Sequence, residues 1–265
     1  MRGDALCMKR NAYLAERVLN ASKKTRISKA SRLGIVVTAI LLFLIFAISY
    51  YGEVTGNFTF SVDREAQEAG ISLYESDDDK HYTTRLFSAK VENADGMTHF
   101  CGTEHTSVPD GSDRCIPADD IVGSIDGANN GESYLGYTFY VENVGDQAVD
   151  LNATITIIDA YLNAEESLRV RVIIDDVATT YARRQSESGP DPGEPEIFTE
   201  PFHNRDEVLN TTYPLFEPGD VKKVTLIIWY EGEDADHHDA IKGGGVKLEM
   251  DFSINKIYGE EDENE

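Results

Sequence analysis

Hydrophobic positions follow two patterns along the chain. From Leu33 to Tyr51 runs an unbroken stretch of nineteen uncharged residues, LGIVVTAILLFLIFAISYY, with Thr38 and Ser49 its only polar interruptions before the closing tyrosines. About 20 apolar helical residues cross a hydrocarbon core of about 30 Å, so this run predicts one N-terminal transmembrane helix. After it the apolar residues come in short alternating runs. Phe58, Phe60 and Val62 alternate with polar neighbours, and Ile71–Tyr74 and Leu86–Val91 are further strand signals. Tyr137, Phe139 and Val141 share one face, the turn residues Asn143-Val144-Gly145-Asp146 follow, and Leu151, Ala153, Ile155 and Ile157 alternate in turn. Two period-2 runs joined by a turn predict an antiparallel hairpin with one buried face.

Leu168–Ile174 predicts a strand with Arg169 and Arg171 on its wet face. Val221–Tyr230 is strongly apolar, and Val246, Leu248, Met250, Phe252 and Ile254 alternate with polar residues. Residues 93–131 are rich in Gly, Asp, Asn and Ser and predict a long loop insertion. A second insertion covers 185–205, with a Pro/Gly-rich start unsuited to a sheet interior. No long helical periodicity occurs beyond the apolar run. The expected fold is all-β: an antiparallel β-sandwich of jelly-roll or Greek-key type over residues 53–258, preceded by the single transmembrane helix. Residues 259–265, GEEDENE, read as a disordered acidic tail.

Charge adds topology. Nine of the 24 Lys/Arg and two of the 48 Asp/Glu fall in residues 1–32, leaving 15 basic against 46 acidic side chains beyond. A basic leader before an apolar span places the N-terminus in the cytoplasm and the acidic remainder outside, with Tyr50 and Tyr51 at the outer membrane interface. The favoured reading is a retained signal anchor in the cell membrane. The small-x-small triplet Ala47-Ile48-Ser49 leaves a cleaved signal peptide, and a secreted product starting near Ser49, as the alternative. The acidity excludes nucleic acid as a partner, because that needs a basic footprint.

Cys101 and Cys115 lie in the exported part, and their even number predicts a disulfide. A zinc site with His99 and His105 fits no standard ligand spacing. Glu231, Asp234, Asp236 and Asp239, with Glu233, crowd one loop and are candidate Ca²⁺ ligands, set against a solvated acidic loop as the plainer reading. Asp119, Asp120, Asp126, Asn129 and Glu132 form a weaker group. No cofactor is certain. His237-His238 offers two adjacent side chains that diverge, and neither H-E-x-x-H nor G-x-S-x-G is present. Trp229 reads as core or rim packing rather than a sugar platform.

The blocks GYTFYVENVGDQAVDLNATITI, GGGVKLEMDFSI and GNFTFSVDREAQEAGISLYE resemble the camelysin and TasA-like exported β-sandwich proteins of Gram-positive bacteria, and IIWYEGEDADHHDAIKGGG resembles a loop in related surface proteins of such bacteria. The match is one of strand patterns and covers about half of the ectodomain. The resemblance implies a non-enzymatic surface or biofilm-matrix role, with assembly into a homopolymer or contact with other surface proteins. If the leader is cleaved, Phe58, Phe60 and Val62 become a candidate donor strand for a neighbouring subunit's sheet. A membrane-anchored module that binds a protein or glycan, Ca²⁺-stabilised or not, is the alternative, and a hydrolase ranks third.

Overall fold

The computed structural model describes residues 34–44, 58–91, 95–99, 101–102, 108–184 and 199–259. The chain divides into two compact units, residues 1–54 and 55–265. In the first, residues 34–44 form an exposed helix in which Thr38 Oγ1 donates to the Gly34 carbonyl at 2.9 Å. The rest of the expected span, including Tyr50 and Tyr51, lies outside the described residues, as does the basic leader. Among the described residues no helix is long and apolar enough to cross a membrane.

The second unit is mostly β. Its elements are β1 (Phe58–Val62), α1 (Arg64–Glu68), β2 (Ile71–Tyr74), β3 (Arg85–Ser88), α2 (Asp119–Gly123), β4 (Gly127–Ala128), β5 (Tyr134–Asn143) and β6 (Val149–Tyr161). Then follow β7 (Leu168–Ile174), β8 (Val177–Ala182), β9 (Glu200–Pro201), β10 (Glu207–Phe216), β11 (Val221–Tyr230), a 3-10 turn (Asp239–Ile241) and β12 (Gly245–Ile257). One sheet has the order β10-β6-β12-β1-β3; the other runs β2-β5-β11-β7-β8-β9, with β4 also on β5. The two sheets pack face to face through the alternate apolar residues of each strand. Phe58, Phe60, Leu151, Ile155, Met250 and Phe252 come from the first sheet and Tyr137, Phe139, Val170, Val172 and Leu226 from the second. Most pairings are antiparallel, but β1 runs parallel to β12 and β8 parallel to β9.

β5 and β6 do not pair with each other, contrary to the expected hairpin. β5 pairs with β11 and β2, whereas β6 pairs with β10 and β12 in the opposite sheet. Alternation marks which face of a strand is buried, and an arch between two sheets satisfies that as well as a hairpin within one. The buried Asn143 holds the arch. Its Nδ2 donates to the carbonyls of Gln147 and Phe216, both at 2.9 Å, and its Oδ1 accepts from the Gly145 N–H at 3.0 Å. Gly145 then passes against the turn after α1, where a Cβ would sit 2.0 Å from the Ala69 carbonyl oxygen. β7 and β8 do make a hairpin, closed by Asp175-Asp176 with φ of 50° and 66°, the left-handed pair a two-residue turn needs.

Both expected insertions carry more structure than the sequence showed. Residues 93–131 contain α2 and β4, and residues 199–205 include β9 on the edge of a sheet; Pro201 is tolerated there because an edge needs fewer donors. Residues 92–94, 100, 103–107 and 185–198 lie outside the described residues, and so does 260–265 of the acidic tail. Two short helices went unanticipated. α1 is capped by Asp63, whose Oδ1 accepts from the Ala66 N–H at 2.6 Å, a signal visible as Asp before an acidic first turn.

Candidate functional site

Sequence reasoning points to the acidic loop after β11 and to β1. The loop leaves the sheet at one end of the sandwich. Glu231 N–H donates to the Ser167 carbonyl at 2.8 Å and Gly232 N–H to Met97 O at 2.9 Å. Asp234 turns inward, and its Oδ2 accepts from an Arg169 guanidinium nitrogen at 2.5 Å, with both side chains shielded from water. Arg169 is therefore not on a wet face, as alternation along β7 implied; an acid from a distant loop compensates a charge buried in the strand. Asp234 Oδ1 accepts the Asp236 N–H at 2.7 Å. Glu231 is also buried; it accepts the indole N–H of the buried Trp229 at 3.1 Å and the Glu233 N–H at 3.3 Å. Burial pushes the Glu231 carboxyl up from its ordinary range, against the pull of the Trp229 hydrogen bond.

Asp239, by contrast, stands in solvent, paired with Lys242 at 2.8 Å, and that hydrogen bond lowers its carboxyl. The four Ca²⁺ candidates are thus spent separately: Glu231 on Trp229, Asp234 on Arg169 and Asp239 on Lys242, with Asp236 bound to Asp234 by its backbone. Among the described residues no group of three or more His, Cys, Asp or Glu side chains is placed to hold a metal ion. His238 Nδ1 accepts the Ala240 N–H at 3.2 Å and caps the 3-10 turn. The weaker acidic group is dispersed too. Asp119 accepts from Arg171 at 2.6 and 2.7 Å, which lowers its carboxyl, and Asp126 accepts the Tyr140 hydroxyl at 3.0 Å.

The cysteine-bearing segment is latched to this loop. Cys101 and Cys115 are joined, S–S 2.03 Å. Met97 bridges to Glu231 and Thr98 to Cys115 in parallel register. Arg114 donates to the Gly96 carbonyl at 3.2 Å and approaches Glu233 at 3.5 Å. The two backbones meet at Gly96 and Gly232, where a Cβ on Gly96 would come within 2.4 Å of the Gly232 Cα. His99 lies beside Trp229, ring centroids 6.1 Å apart, and burial lowers its pKa. This end of the sandwich is a lock of buried charge and close backbone contact.

β1 lies between β12, with Phe58 opposite Leu248, and β3, with Phe60 opposite Leu86. Phe58, Phe60 and Val62 all point into the core, and the Phe60 ring sits 4.6 Å from Tyr137 and 4.5 Å from Phe139. On the other face Ser61 Oγ donates to Asp251 Oδ1 at 2.7 Å and meets Glu249 Oε1 at 3.1 Å. Burial raises the Asp251 carboxyl.

Sequence reasoning missed Glu165, Glu166 and Arg183. Arg183 pairs with Glu165 at 3.1 Å and Glu166 at 3.5 Å. Glu166 and Arg183, with Arg184, Phe202, His203, Asn204 and Arg205, border a polar cleft of about 480 Å³. Three arginines within a strongly acidic domain were a readable signal, although 183–184 and 205 stand too far apart in sequence to be joined without the fold. No family model and no curated protein matches this chain.

Proposed function

We propose that this chain is an exported, non-enzymatic surface protein with a structural or adhesive role, acting as a matrix-type subunit that assembles by strand donation. The observation that carries the reading is the placement of β1. It is the first strand of the domain, it follows closely on the apolar segment, and its three apolar side chains complete a core built by later strands. Withdrawn from its place between β12 and β3, it would leave an apolar slot that an equivalent strand from another copy fits. The strand order supports a jelly-roll-type sandwich, and the uncharged run at 33–51 with its basic leader supports a single membrane-anchoring helix, N-terminus inside, that is either retained or cut near Ser49. The buried carboxylates of Glu231 and Asp234, each engaged by a partner of its own, support a structural end to the sandwich in preference to a hydrolytic one.

A second reading, an anchored module that binds an anionic protein or glycan, draws on the arginine-lined cleft. Intact mass and N-terminal sequence of the protein from its producing cell test the first reading. A product that begins near Tyr50 and forms polymers as concentration rises supports the subunit reading. Thr59 and Glu249 are opposite one another, so the T59C/E249C pair then reports the mode of assembly. A bond between chains supports donation. An uncut, membrane-bound chain with that bond formed within one molecule refutes it.

A further inference from the structure

The β-domain sequence contains the triplets Asn57-Phe58-Thr59, Asn152-Ala153-Thr154 and Asn210-Thr211-Thr212, each an Asn-x-Thr acceptor for N-linked glycan with no proline at the middle position. Asn57 lies outside the described residues. The other two sit on paired strands in opposed register, with Asn210 opposite Thr154 and Thr212 opposite Asn152. In each strand the Asn and the Thr two residues on project from the same, outward face of the sheet, so each triplet presents its amide and hydroxyl together.

The structure separates the two. Asn152 is half-buried on β6, which is paired on both sides. Its Nδ2 donates to Thr154 Oγ1 at 3.1 Å and its Oδ1 accepts from Thr212 Oγ1 at 2.9 Å. Both polar atoms of its carboxamide are engaged, and neighbouring strands flank it. Asn210 is exposed on β10, an edge strand paired with β6 alone. Register shifts interrupt the ladder on both sides of it, between Glu207 and Leu209 and between Tyr213 and Phe216. An edge strand with irregular pairing can be drawn away from its sheet locally, which a central strand cannot do without opening the ladder on two sides.

We propose that Asn210 is an N-glycosylation site and that Asn152 is not. The donor is an oligosaccharide linked through phosphate to a polyisoprenyl lipid, and a membrane oligosaccharyltransferase catalyses its transfer. Asn210 Nδ2 forms a bond to the anomeric carbon of the first sugar, the bond from that carbon to the phosphate oxygen breaks, the lipid phosphate leaves and the amide nitrogen gives up one proton. No oxidation or reduction is involved. A glycan at Asn210 stands on the outward face at the edge of its sheet, where it obstructs pairing of β10 with another chain and leaves the β1 site untouched. The proposal rests on the exported reading of this domain.

The test uses full-length protein from its producing cell, probed first with a cell-impermeant biotin reagent and then by mass spectrometry of its peptides. Trypsin releases residues 206–222 as one peptide with Asn210 inside it. The expected result is a sugar-bearing form of this peptide that is lost in N210Q and T212A but kept in T212S, with the Asn152 peptide at its unmodified mass. Peptide 206–222 at its unmodified mass alone overturns the proposal, as does sugar on Asn152 in its stead. The biotin reagent distinguishes the failures: labelled protein with bare Asn210 refutes only the glycan, whereas unlabelled protein refutes export as well.

Discussion

Arg169 and Asp234 are worth more as a pair than either is alone. Each charge has left water, and the 2.5 Å contact is the compensation. Removing one partner strands the other, at a cost of about 3–5 kcal/mol. D234N and R169L should therefore each lower the denaturant midpoint sharply, while the double change R169L/D234L should recover much of the loss in the same titration. Glu231 makes a separate pH argument. Its folded pKa lies above its ordinary 4.5, so the folded state binds the proton more tightly. By linkage, stability then increases as pH falls through the folded pKa toward 4.5 and declines as pH rises. Asp119 has the opposite sign: its pKa is depressed, so its contribution is present above its ordinary 3.8 and lost as pH falls through the folded value. Thermal unfolding followed by pH should show a gain on mild acidification, a fall below about 4, and in E231Q a smaller gain with the acid-side fall retained.

Elements depend on joints that periodicity does not describe. The β5–β6 arch turns on one buried asparagine that serves two carbonyls and one amide. N143A leaves these groups unsatisfied and should cost about 2–4 kcal/mol, summing penalties of about 1–3 kcal/mol per lost partner with partial rescue by water; chemical denaturation reads it. The cysteine segment depends on its bridge in the same way. Closing a loop of this length contributes about 3 kcal/mol in the chain-entropy account, so C101S/C115S should melt at a lower temperature than the parent, and added reductant should lower the parent to match. Hydrogen exchange should show the loss concentrated at Met97, Thr98 and the Gly232 backbone they hold. Strand existence was legible because alternation reports burial directly, as at Phe58, Phe60 and Val62. Strand partnership was not, since β5 and β6 satisfy the same pattern from opposite sheets. The basic residues of LRVRVII were visible too, but their acids lie 52 and 65 residues further along or back in the chain.

At the scale of the whole molecule the dominant quantity is charge. The chain carries a formal net charge of −24, and the β domain is more negative still because the leader is basic. Self-repulsion of this size opposes compaction and is screened by salt, whose Debye length falls from about 30 Å at 0.01 M to about 3 Å at 1 M. The unfolding midpoint of the β domain should rise across that range. A flat response would mean that local pairs such as Lys222–Asp175 and Lys80–Glu142 already absorb the repulsion. The core scale is set by the aromatic cluster around Phe60, where F60A removes a ring packed against Tyr137 and Phe139. It should cost about 3–5 kcal/mol, measured by denaturation.

The sequence by itself determined the uncharged run and its basic flank, the alternating strands, the cysteine pair and the acid excess, because each of these is a property of neighbouring residues or of simple counts. Tertiary structure alone decided which sheet each strand joins, that β1 lies parallel to the last strand, that Arg169 is inside, and that the crowded carboxylates of the β11–β12 loop serve different partners. The physical reason is common to all four. Hydrogen-bond partners and charge compensation are chosen between segments far apart in the chain, and a local pattern specifies that a group must be satisfied without specifying by whom.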